Sequence, residues 1–237
     1  MQPRSFFQFT HALCRAIDPS LASAALRLGE ASSSPQAVVD VAAAHRQHAA
    51  MVTALKRVGV STVIELPSDD LPDSVFVEDT AVVGGDGTTV FLTTPGAPSR
   101  RLETARIKQA LEQHFGGTVT AQQRGTLDGG DVLFTGREVF VGRSQRTDAA
   151  GIAELQRAFP AHSVTAVDVT HGAADGVLHL KSACSMAGDD HIVTGGPVGE
   201  HIRRAIEAAA PGRCTLPSTL SSPLSSSLSS TLSSPTP

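Results

Sequence analysis

The chain has 237 residues, of which 41% are apolar and 18% are charged, and its formal net charge is −4. This length suffices for one large domain or two small ones, and the small negative charge argues against a general nucleic-acid binder. No apolar run approaches the ~18 residues of a membrane span. Three scattered cysteines provide neither a disulfide framework nor a CxxC metal site. We therefore expect a cytoplasmic protein with no nucleic-acid or membrane partner.

The composition changes abruptly near the end of the chain. Residues 215–237 consist only of Ser, Thr, Leu and Pro, with leucine at every fourth position. This period could form a helical stripe, but serine is a poor helix former, and Pro223 and Pro235 would interrupt a helix. We predict a folded domain over 1–213 and a disordered low-complexity tail over 214–237.

The folded part alternates strand and helix patterns in a regular order. Ser34 and Pro35 suit the start of the first helix. The order strand, turn, strand, helix, strand recurs about every fifty residues, and four helices imply four units. The predicted elements, in chain order, are a helix over 36–58, a strand over 62–66, strands over 74–83 and 88–93, a helix over 100–115, strands over 126–134 and 139–142, a helix over 148–159, strands over 176–186 and 191–194, and a helix over 198–209.

Polar residues occupy matching places on the leading strands of these units. Glu78 and Asp79 belong to one unit, and Asp128 follows Asp79 after 49 residues in the next. His179 follows Asp128 after 51 residues in the third. Repeated units form a solenoid or a ring, and in a ring the leading strands converge at the centre. The carboxylates and the histidine would then form a site for a cation.

Each of these residues also has a structural interpretation. The acids Asp73, Glu78 and Asp79 could bind backbone amides or an arginine of the protein. Alternatively, they could bind a cationic substrate, and guanidinium is the cation whose geometry best matches paired carboxylates. Asp128 could be an Asx-type turn residue, and the two glycines after it permit a close backbone approach or a bulge. His179 could be a core histidine or a general acid–base held by a carboxylate.

Two arginines stand near predicted helix starts, where Arg100 follows PGAPS and Arg146 follows GRSQ. Each could be a solvated charge, or a clamp for an anionic group such as a carboxylate. The glycine-rich stretches have neither Walker nor GxGxxG spacing, so no nucleotide site is expected.

Several stretches together resemble the dimethylarginine dimethylaminohydrolase family. They are THALCRAI, ALRL, LPDSVFVEDTAVV, TTPGAPSRR, TLDGGDVLFTGREVFVGRSQRT and GVLHLKSACSMAG, and they extend from about Thr10 to about Ala209. The family belongs to the guanidine-modifying penteins. The resemblance therefore implies an α/β propeller of repeated ββαβ units, with four units recognisable here and the fifth missing. It also implies hydrolysis of asymmetric dimethylarginine or monomethylarginine to citrulline plus an amine, which indirectly regulates nitric oxide synthesis.

The resemblance assigns roles motif by motif. It implies that His179 is catalytic and is paired with Asp128. The residues that it implies in substrate binding are Leu26, Asp73, Glu78, Asp79, Arg100 and Arg146. Among these, Leu26 belongs to a loop that lids the site, and the two arginines recognise the amino-acid end. The implied partner is a small methylated arginine, with no organic cofactor and no metal, and the oligomeric state is open.

The expected nucleophile is missing from the sequence pattern. In the family it is a cysteine of the fifth repeat, where this chain has the Ser/Leu tail. Cys214 lies 35 residues after His179 with no matching motif around it, and Cys184, on the predicted strand of His179, is expected in the core. We predict that the chain as written is inactive. A non-catalytic methylarginine binder, a non-functional truncated isoform, an arginine deiminase and an amidinotransferase remain as alternatives.

Overall fold

Ten strands form four small sheets in the computed structural model, which describes residues 9–26, 39–85, 87–170, 177–188, 191–196 and 198–209. The strands are β1 His11–Arg15, β2 Thr62–Leu66, β3 Ala81–Val83, β4 Thr89–Leu92, β5 Thr118–Ala121, β6 Val132–Phe134, β7 Glu138–Arg143, β8 Ser163–Asp168, β9 Cys184–Met186 and β10 Ile192–Thr194. The α-helices are α1 Leu21–Ala24, α2 Val41–Arg57, α3 Glu103–His114, α4 Ala149–Ala158 and α5 Gly199–Ala209. None of these helices is long and apolar enough to cross a bilayer.

Two three-stranded sheets, β3-β4-β5 and β6-β7-β8, share one topology. In each, the first two strands pair antiparallel, and the third returns after a helix to pair parallel with the second. Strands β1 and β2 form a parallel pair with α2 between them in the chain, and β9 and β10 form an antiparallel pair followed by α5. The ββαβ order expected from the sequence is thus complete in two sheets, while the number of propeller units stays a prediction.

A short 3₁₀ helix precedes the first strand of three sheets, and we call these three segments the leading turns. They are Val77–Thr80 before β3, Gly129–Asp131 before β6 and Leu180–Ser182 before β9. The strands predicted over 74–83, 126–134 and 176–186 were therefore too long, because only their last three residues are strand. Short apolar runs fit more than one kind of structure, and periodicity alone does not separate them.

The helices follow the sequence more closely. α4 and α5 are confirmed within a residue or two, as is the strand over 62–66. α2 begins at Val41, because the Asp40 side chain accepts a hydrogen bond from the third residue of the helix at 2.9 Å. The caps predicted for it, Ser34 and Pro35, lie outside the described residues, as does the predicted tail. The helix predicted over 100–115 divides into a 3₁₀ turn and α3.

Three apolar clusters each join consecutive sheets. One packs β4 and α3 against Leu13 of β1 and Leu66 of β2. The second joins Phe91 of β4 to β6 and β7 through α4, and the third joins Phe140 of β7 to β9 and β10 through α5. Because the sheets pack in chain order, their leading turns come to lie against one another.

Gly151 offers a test of how tightly α4 packs. An added Cβ there would collide with the carbonyl oxygen of Thr126. A glycine-to-alanine change in a helix ordinarily stabilises by about 1 kcal/mol, but we expect Gly151→Ala to destabilise by about 1–3 kcal/mol because the backbone leaves no room. Urea unfolding followed by circular dichroism measures the difference. Gly195→Ala, where a Cβ meets nothing within 4 Å, is the control. Equal stability of the two variants would contradict this packing.

Candidate active site

The leading turns bring acidic residues and a histidine together in the interior. Asp79 lies on the first leading turn, Asp128 directly precedes the second, and His179 directly precedes the third. All three side chains are buried. Gly130 makes the approach possible, because a Cβ there would lie 2.6 Å from Asp79 Oδ1 and 2.7 Å from His179 Nδ1. Of the two interpretations of the TLDGGD glycines, the structure shows the close backbone approach.

His179 and Asp128 form a hydrogen-bonded pair. His179 Nε2 lies 2.9 Å from Asp128 Oδ2, and the other carboxylate oxygen of Asp128 accepts a hydrogen bond from Gly96 N at 2.8 Å. Asp79 Oδ1 is 3.9 Å from the same imidazole nitrogen. Asp128 therefore does not act as an Asx-turn residue, and His179 is not an isolated core histidine.

This environment raises the pKa of His179 above its ordinary value. Burial acts in the opposite direction, because it disfavours the imidazolium ion. The hydrogen bond to Asp128 and the negative charges of Asp79 and Asp131 outweigh it. The raised pKa extends the pH range over which the imidazole is protonated, and a protonated imidazole can act as a proton donor.

Arg100 lies in the interior and is not the solvated charge that one interpretation of the sequence suggested. It is 5% exposed, and its guanidinium pairs with the carboxylate of Asp79. It also donates to both carboxylate oxygens of Glu103, at 3.1 and 2.8 Å, and to Phe76 O at 2.9 Å. These partners raise the pKa of Arg100 despite its burial. Its donors are thus committed inside the protein, and contact with substrate stays a prediction.

Arg146 differs from Arg100 in having a free donor. Its side chain is half-buried, and its buried Nη1 has no hydrogen-bond partner among the described residues. Its backbone packs against Gly96, where a Cβ would lie 2.5 Å from Arg146 O, and Gly96 N in turn binds Asp128. A buried donor without a partner costs free energy, so this nitrogen is available to bind an acceptor atom, and a role of Arg146 in substrate binding stays a prediction.

Of the remaining predicted residues, Leu26 and Glu78 are exposed and mark the rim of the site, whereas Asp73 is buried. Both carboxylate oxygens of Asp73 accept from Leu26 N at 3.1 Å, which is the backbone-amide interpretation of this acid. Glu78 is exposed and forms an ion pair of 2.7 Å with Lys181, two residues after His179. The sequence reasoning missed Lys181, which only its charge and its nearness to His179 could have indicated.

Asp79, Asp128 and His179 are also the residues that could hold a metal ion in the described part of the chain. One ligand atom from each lies within 4.8 Å of the others. Each of these atoms already has a partner, because Asp79 binds Arg100 and Gly130 N, and Asp128 binds Gly96 N and His179 Nε2. A cation would have to replace some of these bonds, and the expectation that no metal is required stays a prediction.

The two cysteines in the described residues are buried free thiols. Burial raises the pKa of the Cys184 thiol to about 12, and it also raises the pKa of the Cys14 thiol. Cys184 belongs to the apolar cluster around α5, as expected, although a leading turn rather than one continuous strand separates it from His179. Neither thiol has the thiolate character of a nucleophile, and Cys214 lies outside the described residues.

Comparisons with known proteins point to one family. The family model described as N,N dimethylarginine dimethylhydrolase, eukaryotic, matches residues 32–204. A dimethylarginine dimethylaminohydrolase of Streptomyces coelicolor is 43% identical over 157 residues, which cover 65% of this chain and 58% of that protein. One from Pseudomonas aeruginosa is 31% identical over 66% of this chain and 60% of its own length. The chain thus spans about three-fifths of these curated relatives.

Solved structures give the same similarity. A cysteine-to-serine mutant of the Pseudomonas aeruginosa protein in complex with citrulline superposes with a TM-score of 0.68 and 32% identity, covering 80% of this chain and 71% of that one. A dimethylarginine dimethylaminohydrolase adduct with S-methyl-L-thiocitrulline superposes with a TM-score of 0.66 and 30% identity, covering 80% and 70%. These matches support the mixed α/β fold of the pentein type.

Replacing Arg100 tests the buried ion pairs. Arg100→Met leaves Asp79 and Glu103 buried without their cation, and we expect a loss of about 3–5 kcal/mol in the free energy of unfolding. Lys108→Met breaks the half-exposed pair with Glu112 and should cost less than about 1 kcal/mol. Urea unfolding compares the two variants, and losses of the same size would refute the structural role of Arg100.

Replacing Asp128 tests the histidine pair. Asp128→Asn should lower the pKa of His179, as followed by NMR titration of the imidazole, whereas Glu112→Gln should not. Because the folded pKa is raised, protonated His179 stabilises the wild type fully below the unfolded value of about 6.5. This contribution is lost as pH rises through the folded pKa. The stability advantage over Asp128→Asn should shrink over that window, and an unchanged imidazole titration would contradict the pairing.

Proposed function

The chain belongs to the eukaryotic N,N-dimethylarginine dimethylhydrolase family, and from that premise we propose that its central site binds a methylated L-arginine. One observation carries the proposal: a buried cluster of acids and a histidine lies next to the turn of Arg146, whose buried Nη1 has no hydrogen-bond partner among the described residues. The acids suit the cationic guanidinium end of such a ligand, and the arginine suits its carboxylate end.

At the guanidinium end, we propose that Asp79, Asp128 and Glu78 attract the cation. Planar guanidinium groups pair well with carboxylates, and the low dielectric of a buried site strengthens that attraction. A cation that reaches Glu78 replaces the ammonium of Lys181, which costs little because exposed ion pairs contribute under about 1 kcal/mol. Asp73 accepts a hydrogen bond from Leu26 N, and we propose that this bond holds Leu26, the residue assigned to the lid, near Glu78.

At the amino-acid end, we propose that Arg146 binds the carboxylate through its free Nη1. Arg100 would join it only by exchanging one of its present partners, since its donors reach Asp79, Glu103 and two backbone carbonyls. The binding of citrulline by the similar Pseudomonas aeruginosa protein supports a ligand with an amino-acid end.

The proposed reaction class is hydrolysis at the guanidinium carbon, giving citrulline and an amine. It needs a nucleophile, and it needs a proton for the leaving amine, which protonated His179 held by Asp128 would supply. Cys14 and Cys184 are buried with raised thiol pKa values and cannot serve as that nucleophile. We therefore propose that the chain as printed binds methylarginine without turning it over.

Calorimetry tests the binding. The purified full chain should bind asymmetric dimethylarginine, and Arg146→Ala should weaken binding about ten- to hundredfold, because a charged hydrogen-bond partner is worth about 1.5–3 kcal/mol. Arg124→Ala, which removes an exposed arginine, is the matched control and should bind as the wild type. No heat at millimolar dimethylarginine, or equal binding by both variants, would refute the site.

A citrulline assay tests the absence of turnover. We expect no citrulline from dimethylarginine or arginine beyond the level of a His179→Ala variant. Loss of a catalytic nucleophile in other enzymes costs on the order of 10⁶ in kcat. Turnover that both His179→Ala and Cys214→Ala abolish would show that Cys214 is the nucleophile and that the prediction of inactivity is wrong.

A further inference from the structure

Asp131 is a fully buried carboxylate to which no part of the proposed binding or chemistry assigns a role. It is 0% exposed and is the last residue of the second leading turn. Its Oδ1 accepts a hydrogen bond from Leu180 N at 2.9 Å, and its Oδ2 accepts from Ser144 Oγ at 2.6 Å and Thr147 Oγ1 at 2.7 Å. All three donors are neutral, and burial raises the pKa of Asp131 in spite of them. Burying a carboxylate is costly unless it is hydrogen-bonded, and all three hydrogen bonds of Asp131 go to groups that adjoin the proposed site.

The hydrogen bonds of Asp131 close a circuit through the His179–Asp128 pair. Leu180, whose amide binds Asp131, directly follows His179 in the chain. Thr147 Oγ1, which donates to Asp131, accepts from Asp128 N at 3.1 Å. Asp128 Oδ2 then meets His179 Nε2 at 2.9 Å. The backbones of both members of the pair are therefore tied to a single carboxylate.

A second chain of hydrogen bonds connects Asp131 to the backbone of Arg146. Ser144 Oγ donates to Asp131 and accepts from Arg146 N at 2.9 Å and from Thr147 N at 3.2 Å. The one donor and both lone pairs of this hydroxyl are thereby used. The turn that carries the proposed carboxylate clamp is thus held by the same acid as the histidine.

The surrounding backbone leaves room for this acid only because a neighbour is glycine. A Cβ on Gly142 would lie 2.7 Å from Asp131 Oδ1 and 2.9 Å from Leu180 Cβ. The preceding unit has the same kind of bond. Asp79 is the third residue of the first leading turn, as Asp131 is of the second, and it accepts a hydrogen bond from Gly130 N at 2.9 Å. The arrangement is a recurring cross-link between adjacent turns.

We propose that Asp131, acting through Thr147 and Ser144, is a positioning residue that sets the geometry of the His179–Asp128 pair and of the Arg146 turn. It touches no ligand. The consequence for ligand affinity rests on the proposed function, whereas the consequence for the imidazole does not.

The decisive variant is Thr147→Val, which opens the circuit without changing any charge. Its matched control is Thr135→Val, because Thr135 is also buried and its Oγ1 bonds the turn between β6 and β7, outside the circuit. The first measurement is NMR titration of His179 in a double-mutant cycle with Asp128→Asn. If the circuit determines the geometry of the His179–Asp128 pair, the decrease in the pKa of His179 caused by Asp128→Asn should fall to about half in the Thr147→Val background. It should be unchanged in the Thr135→Val background.

The second measurement is calorimetry with asymmetric dimethylarginine. Thr147→Val should weaken binding about tenfold, and Thr135→Val less than about twofold. If the wild type shows no binding, the proposed function fails, and the imidazole cycle still decides the role of Asp131. A full-sized effect of Asp128→Asn in both backgrounds would overturn the positioning role. Equal changes in affinity in the Thr147→Val and Thr135→Val variants would also overturn it, because such changes would reflect only a loss of stability.

Discussion

The carboxylate-to-amide bonds between adjacent leading turns are the constraint on which the site depends. Asp79 accepts from Gly130 N, and Asp131 accepts from Leu180 N, each at 2.9 Å. Hydrogen bonds to an ionised acceptor are about twice as strong as neutral ones, and here they lie in the interior, where screening by water is weak. The apolar clusters bring the sheets side by side, but apolar contacts have no preferred direction. The hydrogen bonds are directional and orient the polar atoms of one turn against the next.

The cost of this arrangement is a concentration of negative charge, and the protein compensates for it unevenly. Arg100 neutralises Asp79 and Glu103 with a buried guanidinium. Asp131 receives hydrogen bonds from one backbone amide and two hydroxyls, and Asp128 receives one from a backbone amide and pairs with His179, so neither acid has an arginine or lysine partner among the described residues. This negative charge raises the pKa of His179, and we propose that it also attracts the cationic end of the ligand. One electrostatic feature thereby supports both of the roles we propose for the site.

The sequence predicted which residues meet, but not the local geometry that brings them together. The repeat placed Glu78, Asp79, Asp128 and His179 on successive units, and they do lie on or beside successive leading turns. The alignment was nevertheless shifted, because the structure matches Asp79 to Asp131, each the third residue of its leading turn. A short apolar segment with interspersed polar residues fits a strand and a 3₁₀ turn equally well.

The partners of the charged residues were beyond the reach of sequence patterns, because they come from distant parts of the chain. Lys181 meets Glu78 across 103 residues, and Arg100 meets Asp79 across 21. Only the packing of one sheet on the next decides such pairs. The lack of a hydrogen-bond partner for Nη1 of Arg146 among the described residues could not be predicted from the sequence either, because it depends on which acceptors the fold brings near this atom.

Burial separates the cations that belong to the fold from those that a ligand can replace. Arg100 is itself a guanidinium held by carboxylates, with Glu103 binding it through both oxygens, so the interior already contains an example of the recognition that we propose for the ligand. That pair is closed to exchange, because opening it would strand two buried acids. The ion pair of Lys181 with the exposed Glu78 can be exchanged at little cost. A guanidinium ligand should therefore enter along the Glu78 rim, displace the lysine and leave the Arg100 pairs intact, so that the ion pairs that stabilise the fold are kept apart from the position that binds.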